Sequence, residues 1–206
     1  MPNPQGLAEP QALPDVRQFG RFTEWGMGVQ KRILIVEDST TQAMRLQHVL
    51  KIACIETVVA AGGQQAIDVL NGDQAFDAIL SDIDMPEIDG FELCKRVKQM
   101  PSVKKIPFVI LVSLKDMKDV VRSLECGADN MLMKEYDKAY FLPQLETIMS
   151  TTGVAESAGN EHCKFEFGGN RYEVQTSSSR LAAMLISTFA MAVQQKAANL
   201  PVAGKA

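Results

Sequence analysis

The chain has 206 residues, 46% of them hydrophobic, and a formal net charge of −4 at pH 7. This length is sufficient for one ordinary domain with appendages and a well-buried core. No basic block stands out, which argues against nucleic acid as a partner. The longest apolar stretch, residues 181–193, is shorter than the ~20 residues that span a bilayer, so we expect a cytoplasmic protein with no membrane partner.

The cysteines and histidines are scattered along the chain, and neither set has the paired spacing of a zinc site or a disulfide framework. We expect the cysteines to be reduced cytosolic thiols that pack as small apolar groups. The cysteines are Cys54, Cys94, Cys126 and Cys163, and the histidines are His48 and His162.

Residues 1–30 contain several prolines and show no sustained hydrophobic periodicity. They also lack the basic start and the apolar core of a secretory signal peptide. We therefore interpret this segment as a disordered leader. Met27 lies just before the first predicted strand and is a second candidate for the translation start.

From Lys31 to residue 150, short apolar strands alternate with helical patterns. Strands are predicted at residues 33–36, 55–59, 77–80, 108–112 and 130–133. Helices are predicted at residues 40–53, 64–70, 91–100, 115–126 and 137–149. Five strand–helix units in succession predict an α/β fold, a doubly wound parallel sheet with helices on both faces.

Reactive side chains follow the carboxyl ends of four of these predicted strands. Glu37 and Asp38 follow the first strand, and Asp82 follows the third within the loop sequence SDIDMPEIDG. Ser113 follows the fourth strand and Lys134 the fifth. In a parallel sheet joined by helical crossovers, all of these strand ends lie on one edge, where ligands commonly bind.

This edge of the sheet would hold three carboxylates, one hydroxyl and one ammonium group. Three unpaired carboxylates would repel one another, so the cluster requires a cation and a fixed positive charge. A hard divalent ion such as Mg²⁺, which takes oxygen ligands and retains waters, meets the first requirement. Taken alone, the acidic loop could be an ordinary solvated loop, but the residues at the other strand ends argue against that interpretation.

In this order, these residues resemble the receiver domain of two-component response regulators over roughly residues 31–150. The resemblance is carried by Glu37-Asp38, Asp82 followed by MPEIDG, Ser113, and Lys134 within GADNMLMK. The alternative is an unrelated α/β domain with acidic residues at its strand ends by chance. The resemblance implies a flavodoxin-like, five-stranded parallel sheet.

The resemblance also implies a role for each residue at this edge. Asp82 would be the phosphoacceptor, and Lys134 would pair first with its carboxylate and then with a phosphoryl oxygen. Ser113 would donate its hydroxyl to the phosphoryl group and move the following loop. The negative charge of the phosphoryl group would thereby shift a surface of the domain between two states. The implied Mg²⁺ ligands are Glu37, Asp38, Asp82 and the main-chain carbonyl of Asp84.

Three residues depart from the usual pattern of the family. Met131 stands where an aromatic switch residue is usual, and Glu135 replaces the proline that usually follows the lysine. Leu114 replaces a small residue and would narrow the access to Asp82. We therefore expect an intact active site with altered signal transmission.

Neither histidine is a good candidate for a phosphodonor within the chain. His48 lies in the first predicted helix, away from the strand-end edge, and His162 lies in the predicted linker. A histidine kinase or a phosphotransfer protein is therefore the expected partner and phosphodonor.

Beyond the receiver, we predict a linker at residues 151–162, a β-hairpin plus an amphipathic helix at 163–199, and a tail at 200–206. This hairpin and helix are similar to the connector that follows receivers in some hybrid sensor-kinase proteins. The apolar helix leaves two alternatives, a homodimer or docking onto the receiver, of which we favour the homodimer. The apolar side chains concerned are Leu181, Met184, Leu185, Phe189 and Val193.

The resulting expectation is a response regulator that is not an enzyme and acts through protein contacts or dimerisation. A second class of function is a Mg²⁺-dependent phosphatase with an aspartyl-phosphate intermediate, in which Asp84 would be the second acid. Such an enzyme would also need a substrate-binding cap, for which the sequence shows no obvious candidate. A receiver that serves as a phosphate sink or relay is a third alternative.

Overall fold

The computed structural model describes residues 30–72, 75–113, 117–134, 136, 138–151, 161–167, 170–177, 180–185 and 187–188. Apart from Gln30, these residues belong to one unit that begins at Lys31. Residues 1–29 of the predicted leader, including Met27, lie outside the described residues, as do Leu114, Glu135, most of the predicted linker, and the tail.

The receiver region contains a five-stranded sheet in which every pair of neighbouring strands is parallel. The strands are β1 (Arg32–Val36), β2 (Glu56–Ala60), β3 (Ala78–Asp82), β4 (Phe108–Val112) and β5 (Asn130–Met133). Their order in the sheet is β2-β1-β3-β4-β5, which confirms the predicted doubly wound, flavodoxin-like fold. The order reverses between β1 and β3, and ligands bind at such switch points in open α/β sheets.

The helices that connect these strands begin and end within a few residues of the predicted positions. They are α1 (Thr40–Ile52), α2 (Gly63–Gly72), α3 (Gly90–Gln99), α4 (Met117–Glu125) and α5 (Lys138–Thr151). Ser39 caps α1 by accepting a hydrogen bond from the Gln42 amide at 3.5 Å. Asp89 caps α3 by accepting one from the Glu92 amide at 2.7 Å. These caps hold the loops after β1 and β3 against their helices.

The three central strands are buried on both faces, as expected when helices cover both sides of a parallel sheet. Every residue of β3 and β4 is buried, as are the last four residues of β1. Cys94 and Cys126 are free thiols buried in the same core, whereas the free Cys54 is exposed and does not pack as expected. No helix in the described part of the chain has the length and hydropathy of a membrane span.

A C-terminal extension follows α5. It consists of β6 (Glu161–Phe167), β7 (Asn170–Thr176) and the helical residues 180–185 and 187–188. The two strands pair in antiparallel fashion and form the predicted hairpin. Because β6 begins at Glu161, His162 lies in a strand and not in the predicted linker.

The extension packs against the receiver. Val174 and Met184 are each only 1% exposed and belong to the same buried cluster as the receiver core. Met184 is therefore covered by its own chain, which agrees with the docking alternative, while the favoured homodimer stays a prediction. Leu185, in contrast, is 62% exposed, and Phe189 and Val193 lie outside the described residues.

We expect Gly90→Ala to lower the free energy of unfolding by about 2–3 kcal/mol. The loop after β3 closes on itself, with the Gly90 amide donating to the Ile83 carbonyl at 3.0 Å. A Cβ at Gly90 would overlap the Asp82 carbonyl oxygen, so the loop would have to open. Urea unfolding measures the change.

Gly62→Ala is the matched control, because a Cβ there meets no atom within 4 Å. Equal effects of the two substitutions would show that the Gly90 contact does not constrain the loop.

Candidate functional site

The sheet register brings the predicted site residues to one edge. In the pairing of β1 with β3, Val36 lies opposite Ser81, so Glu37 and Asp82 follow at adjacent strand ends. On the other side, the Lys134 amide donates to the Val112 carbonyl at 3.0 Å, which places Lys134 beyond the end of β5. The topology therefore places the acidic residues and the lysine at one edge of the sheet.

Lys134 is the central cation of this site. Its Nζ lies 2.6 Å from Asp82 Oδ2 and 3.2 Å from Glu37 Oε2. It also donates a hydrogen bond to the side-chain oxygen of Gln42 at 3.1 Å. The side chain of Lys134 is only 14% exposed, so these ion pairs are weakly screened by solvent. One ammonium group thus pairs with two buried carboxylates and leaves a net negative charge at the site.

Asp82 is held through both of its carboxylate oxygens. While Oδ2 faces Lys134, Oδ1 accepts a hydrogen bond from the Ile83 amide at 2.5 Å. The residue is 5% exposed at the end of β3. A carboxylate fixed in this way presents its remaining lone pairs in a defined direction, which suits a nucleophile.

Glu37 is the most deeply buried acid of the site, with 2% exposure. Burial raises the pKa of Glu37, and the negative charge of Asp82 raises it further, while Lys134 and the Ser39 amide act in the opposite direction. Its Oε1 accepts from the Ser39 amide at 3.2 Å. Its Oε2 has the Lys134 ion pair but no directed hydrogen bond among the described residues, which leaves this oxygen free to take a further ligand.

The donor set matches a hard divalent cation. Glu37, Asp38 and Asp82 each offer a carboxylate oxygen, and these oxygens lie within 4.8 Å of one another. Mg²⁺ binds oxygen ligands at about 2.0–2.1 Å, so this spacing fits one ion with little movement. Asp38 is exposed, so water could complete the coordination from that side.

Ser113 and Asp84 are also described at this edge, and both are exposed. Ser113 directly follows β4, two positions beyond Leu111, the register partner of Asp82. Asp84 lies two residues after the end of β3. Met131 lies in β5 and is fully buried.

Two residues of the site were missed by sequence reasoning. Gln42, in the first turn of α1, is the third partner of Lys134. The Tyr136 hydroxyl is buried without a hydrogen-bond partner among the described residues. Burial raises the pKa of Tyr136, and the charges of Glu37 and Asp82 add to this effect, which indicates that the ring lies near the acids. The sequence could have indicated Tyr136 as a site residue, because it lies two positions after Lys134.

A family model described as the response regulator receiver domain matches residues 33–146. The chain belongs to this family. The match includes more than half of the chain and every predicted site residue. The chain therefore carries the receiver domain of a two-component response regulator, as the resemblance implied.

Individual relatives agree with this assignment. The chain is 35% identical over 130 residues to the gliding motility regulatory protein of Myxococcus xanthus, a match covering 62% of this chain but only 16% of that protein. It is 32% identical over 109 residues to the two-component response regulator ORR11 of Oryza sativa subsp. indica, covering 53% of this chain and 74% of the relative.

Among solved structures, the signal receiver domain of a signal transduction histidine kinase from Syntrophus aciditrophicus is similar, with a TM-score of 0.55 and 39% identity. The similarity covers 62% of this chain and 96% of that structure. What is shared with these proteins is thus the receiver, and the C-terminal extension lies outside the family match.

We expect metal-free Glu37→Gln to be more stable than the wild type at pH 7. Because the pKa of Glu37 is raised above 4.5 in the folded state, ionisation of this carboxyl opposes folding increasingly as the pH rises above that value. The advantage of the variant should therefore shrink as the pH is lowered towards 4.5. Urea unfolding in EDTA across this pH range measures the difference.

Glu92→Gln, which alters an exposed carboxylate of α3, is the control for the substitution itself. A Glu37→Gln variant that is less stable than the wild type at pH 7 would show that ionised Glu37 stabilises the fold, contrary to the raised pKa.

Proposed function

We propose that this protein is a phosphoacceptor response regulator, phosphorylated on Asp82 by a histidine kinase or a phosphotransfer protein. The observation that carries the proposal is the ion pair between Lys134 and Asp82 at the edge of a receiver-type sheet. The protein signals through protein contacts or dimerisation and is not itself an enzyme with a separate substrate.

In the proposed reaction, a carboxylate oxygen of Asp82 attacks the phosphorus of the donor. A bond forms between this oxygen and phosphorus, and the bond from phosphorus to the donor atom breaks, so that the donor leaves with its electron pair. Lys134 lies within reach of Asp82 and neutralises charge as the phosphoryl group arrives. Ser113 donates its hydroxyl to the group and carries the loop after β4 with it.

Glu37, Asp38, Asp82 and the main-chain carbonyl of Asp84 would hold Mg²⁺ in this protein. The bound ion would supply positive charge against the repulsion between the carboxylates and the incoming phosphoryl oxygens. Glu37 Oε2, which has no directed hydrogen bond in the described structure, supports the assignment. The side-chain oxygen of Gln42 accepts a hydrogen bond from Lys134 and so orients the ammonium group between the carboxylates of Asp82 and Glu37.

We place the protein in the cytoplasm, where the kinase partner has access to it. Neither nucleic acid nor a membrane is a proposed partner, in keeping with the net charge of −4 and the lack of a basic block. A homodimer through the C-terminal helix would have to use the side that carries the exposed Leu185, because Met184 is covered by the receiver.

Asp82→Asn is expected to abolish phosphorylation by acetyl phosphate in the presence of Mg²⁺. The amide has the shape of the carboxylate but is not a nucleophile at neutral pH. Intact-mass spectrometry at neutral pH measures the added phosphoryl group, and hydroxylamine should remove it from the wild type. Asp68→Asn, in the exposed part of α2, is the control. Undiminished labelling of the Asp82 variant would refute the assignment.

Asp38→Ala is expected to lower the Mg²⁺ affinity about tenfold or more, because it removes one of three carboxylate ligands. Isothermal titration calorimetry measures the affinity. Since Asp38 is exposed, the variant should fold normally, and its circular dichroism spectrum provides the check. An unchanged Mg²⁺ affinity would exclude Asp38 from the metal site.

A further inference from the structure

Two cysteines of the receiver core are in contact, and neither takes part in the proposed phosphoryl transfer. Cys94 belongs to α3 and is fully buried, whereas Cys126 directly follows the last residue of α4 and is 4% exposed. The Cys94 thiol donates a hydrogen bond to the main-chain carbonyl of Cys126, with the sulfur 3.5 Å from the oxygen. Both thiols are free. Two thiols that lie 32 positions apart in the sequence therefore meet between α3 and the end of α4.

The end of α4 fixes the position of Cys126. Its amide donates to the Arg122 carbonyl at 2.9 Å, and its thiol donates to the Ser123 carbonyl at 3.2 Å. The next residue, Gly127, has a φ of 81°, the left-handed conformation in which helices commonly end. Cys126 is thus the last residue before a sharp turn, held by its own helix on one side and by α3 on the other.

Solvent can reach Cys126 but not Cys94. Cys126 lies in the wall of a cavity of about 490 Å³, together with Lys98, Lys104 and Glu125. Lys104 and Glu125 are exposed, so this cavity opens at the protein surface. Its volume is many times that of one water molecule, which occupies about 30 Å³ in the liquid. A small oxidant therefore has a path to Cys126, while Cys94 is not part of the cavity wall.

The two thiols also differ in how readily they ionise. The hydrogen bond from the Cys94 thiol lowers the pKa of Cys126, burial opposes this effect, and the Ala128 amide and the charge of Lys95 lower the pKa further. Burial raises the pKa of Cys94, and its interaction with Cys126 raises it again. The thiolate is the reactive form of cysteine, so Cys126 is the nucleophile of the pair and Cys94 remains a thiol.

We propose that Cys94 and Cys126 form a peroxide-sensitive dithiol, in which Cys126 is oxidised first and Cys94 then closes an intramolecular disulfide. Redox-sensing cysteines are reachable from solvent, ionise readily and lie next to a resolving cysteine, and this pair combines the three properties. Disulfides in a reducing compartment are usually transient and redox-sensing, which agrees with thiols that are free in the resting protein. The inference does not depend on the proposed role of Asp82.

The reaction has two steps, with hydrogen peroxide as the oxidant. In the first, the Cys126 thiolate attacks one peroxide oxygen, a sulfur–oxygen bond forms, the oxygen–oxygen bond breaks and hydroxide leaves, which gives a sulfenic acid. In the second, the Cys94 sulfur attacks the Cys126 sulfur, a disulfide bond forms and the sulfur–oxygen bond breaks. The departing hydroxide takes the Cys94 proton and leaves as water. The two thiols together lose two electrons, and the peroxide is reduced to water.

The disulfide would join α3 to the end of α4 and enclose β4 and α4 in a covalent loop. Closing a loop of this length restricts the unfolded chain and so stabilises the folded state. For a chain of this size, we expect oxidation to raise the Tm by about 5–10 °C. Reduction with dithiothreitol should return the Tm to its starting value.

The test uses the full chain with Cys54→Ser and Cys163→Ser, so that an intramolecular disulfide has only one possible pairing. The reduced protein is treated with hydrogen peroxide at neutral pH, and its intact mass is measured without reductant. The expected product is a monomer that has lost two hydrogen atoms, with the tryptic peptides containing Cys94 and Cys126 joined. The Tm of the same sample, before and after dithiothreitol, measures the stabilisation.

Single substitutions separate the roles of the two cysteines. In Cys94→Ala the sulfenic acid at Cys126 has no resolving thiol, so dimedone should capture it there. In Cys126→Ala, Cys94 should stay unmodified, because it has a raised pKa and no path from solvent. Circular dichroism before oxidation checks that both variants are folded. Alkylation of the protein that keeps both cysteines provides a measurement without these variants, and Cys126 should react with iodoacetamide at least about tenfold faster than Cys94.

Three results would overturn the inference. One is a protein that keeps both thiols under conditions in which peroxide fully oxidises glutathione in a parallel sample. Another is a dimedone adduct on Cys94 in Cys126→Ala, or equal alkylation of the two cysteines, either of which contradicts the assigned order. The third is a disulfide that leaves the Tm unchanged, since α3 and the end of α4 would then not be held together by it.

Discussion

The acidic edge of the sheet depends on one neutralising contact, the ammonium group of Lys134 between Asp82 and Glu37. Both carboxylates are almost completely buried, and two such charges without a cation would cost far more than a hydrogen bond recovers. Lys134 can reach them because its amide extends the β4–β5 pairing by one residue. The position of β5 is therefore a condition for the site, and the raised pKa of Glu37 shows that the compensation is incomplete.

Incomplete compensation leaves the carboxylate cluster with free energy to gain from a further cation. A site fully satisfied by its own lysine would have no free energy to gain from a divalent cation or a phosphoryl group. Here the Glu37 Oε2 atom and the Tyr136 hydroxyl are buried without directed hydrogen bonds in the described structure. Glu37 Oε2 has only the ion pair with Lys134, and the Tyr136 hydroxyl has no hydrogen bond among the described residues, so both atoms retain capacity to bind a further group.

The sheet and the composition of its edge could be predicted because both follow from local patterns. Buried runs such as Phe108–Val112 and the polar residue after each run are adjacent in sequence, and parallel topology then places the strand ends together. Contacts between distant residues leave no such pattern. The bond of Gln42 to Lys134 joins residues 92 positions apart, and that of Ser187 to Asn130 joins residues 57 apart. An apolar helix likewise does not specify what covers it, and for this reason the sequence left docking and dimerisation open for Met184.

The physical consequence of having Met131 in place of the usual aromatic residue follows from where this side chain lies. Met131 is an unbranched side chain, fully buried in the cluster that also contains Met184. Its thioether can adapt to neighbours that shift, without presenting a rigid group to a partner. Strand β5 is connected at both of its ends. Lys134, which pairs with Asp82, follows its last residue, and its first residue, Asn130, accepts a hydrogen bond from Ser187. Docking of the extension therefore puts this chain's own helix against the amino end of β5.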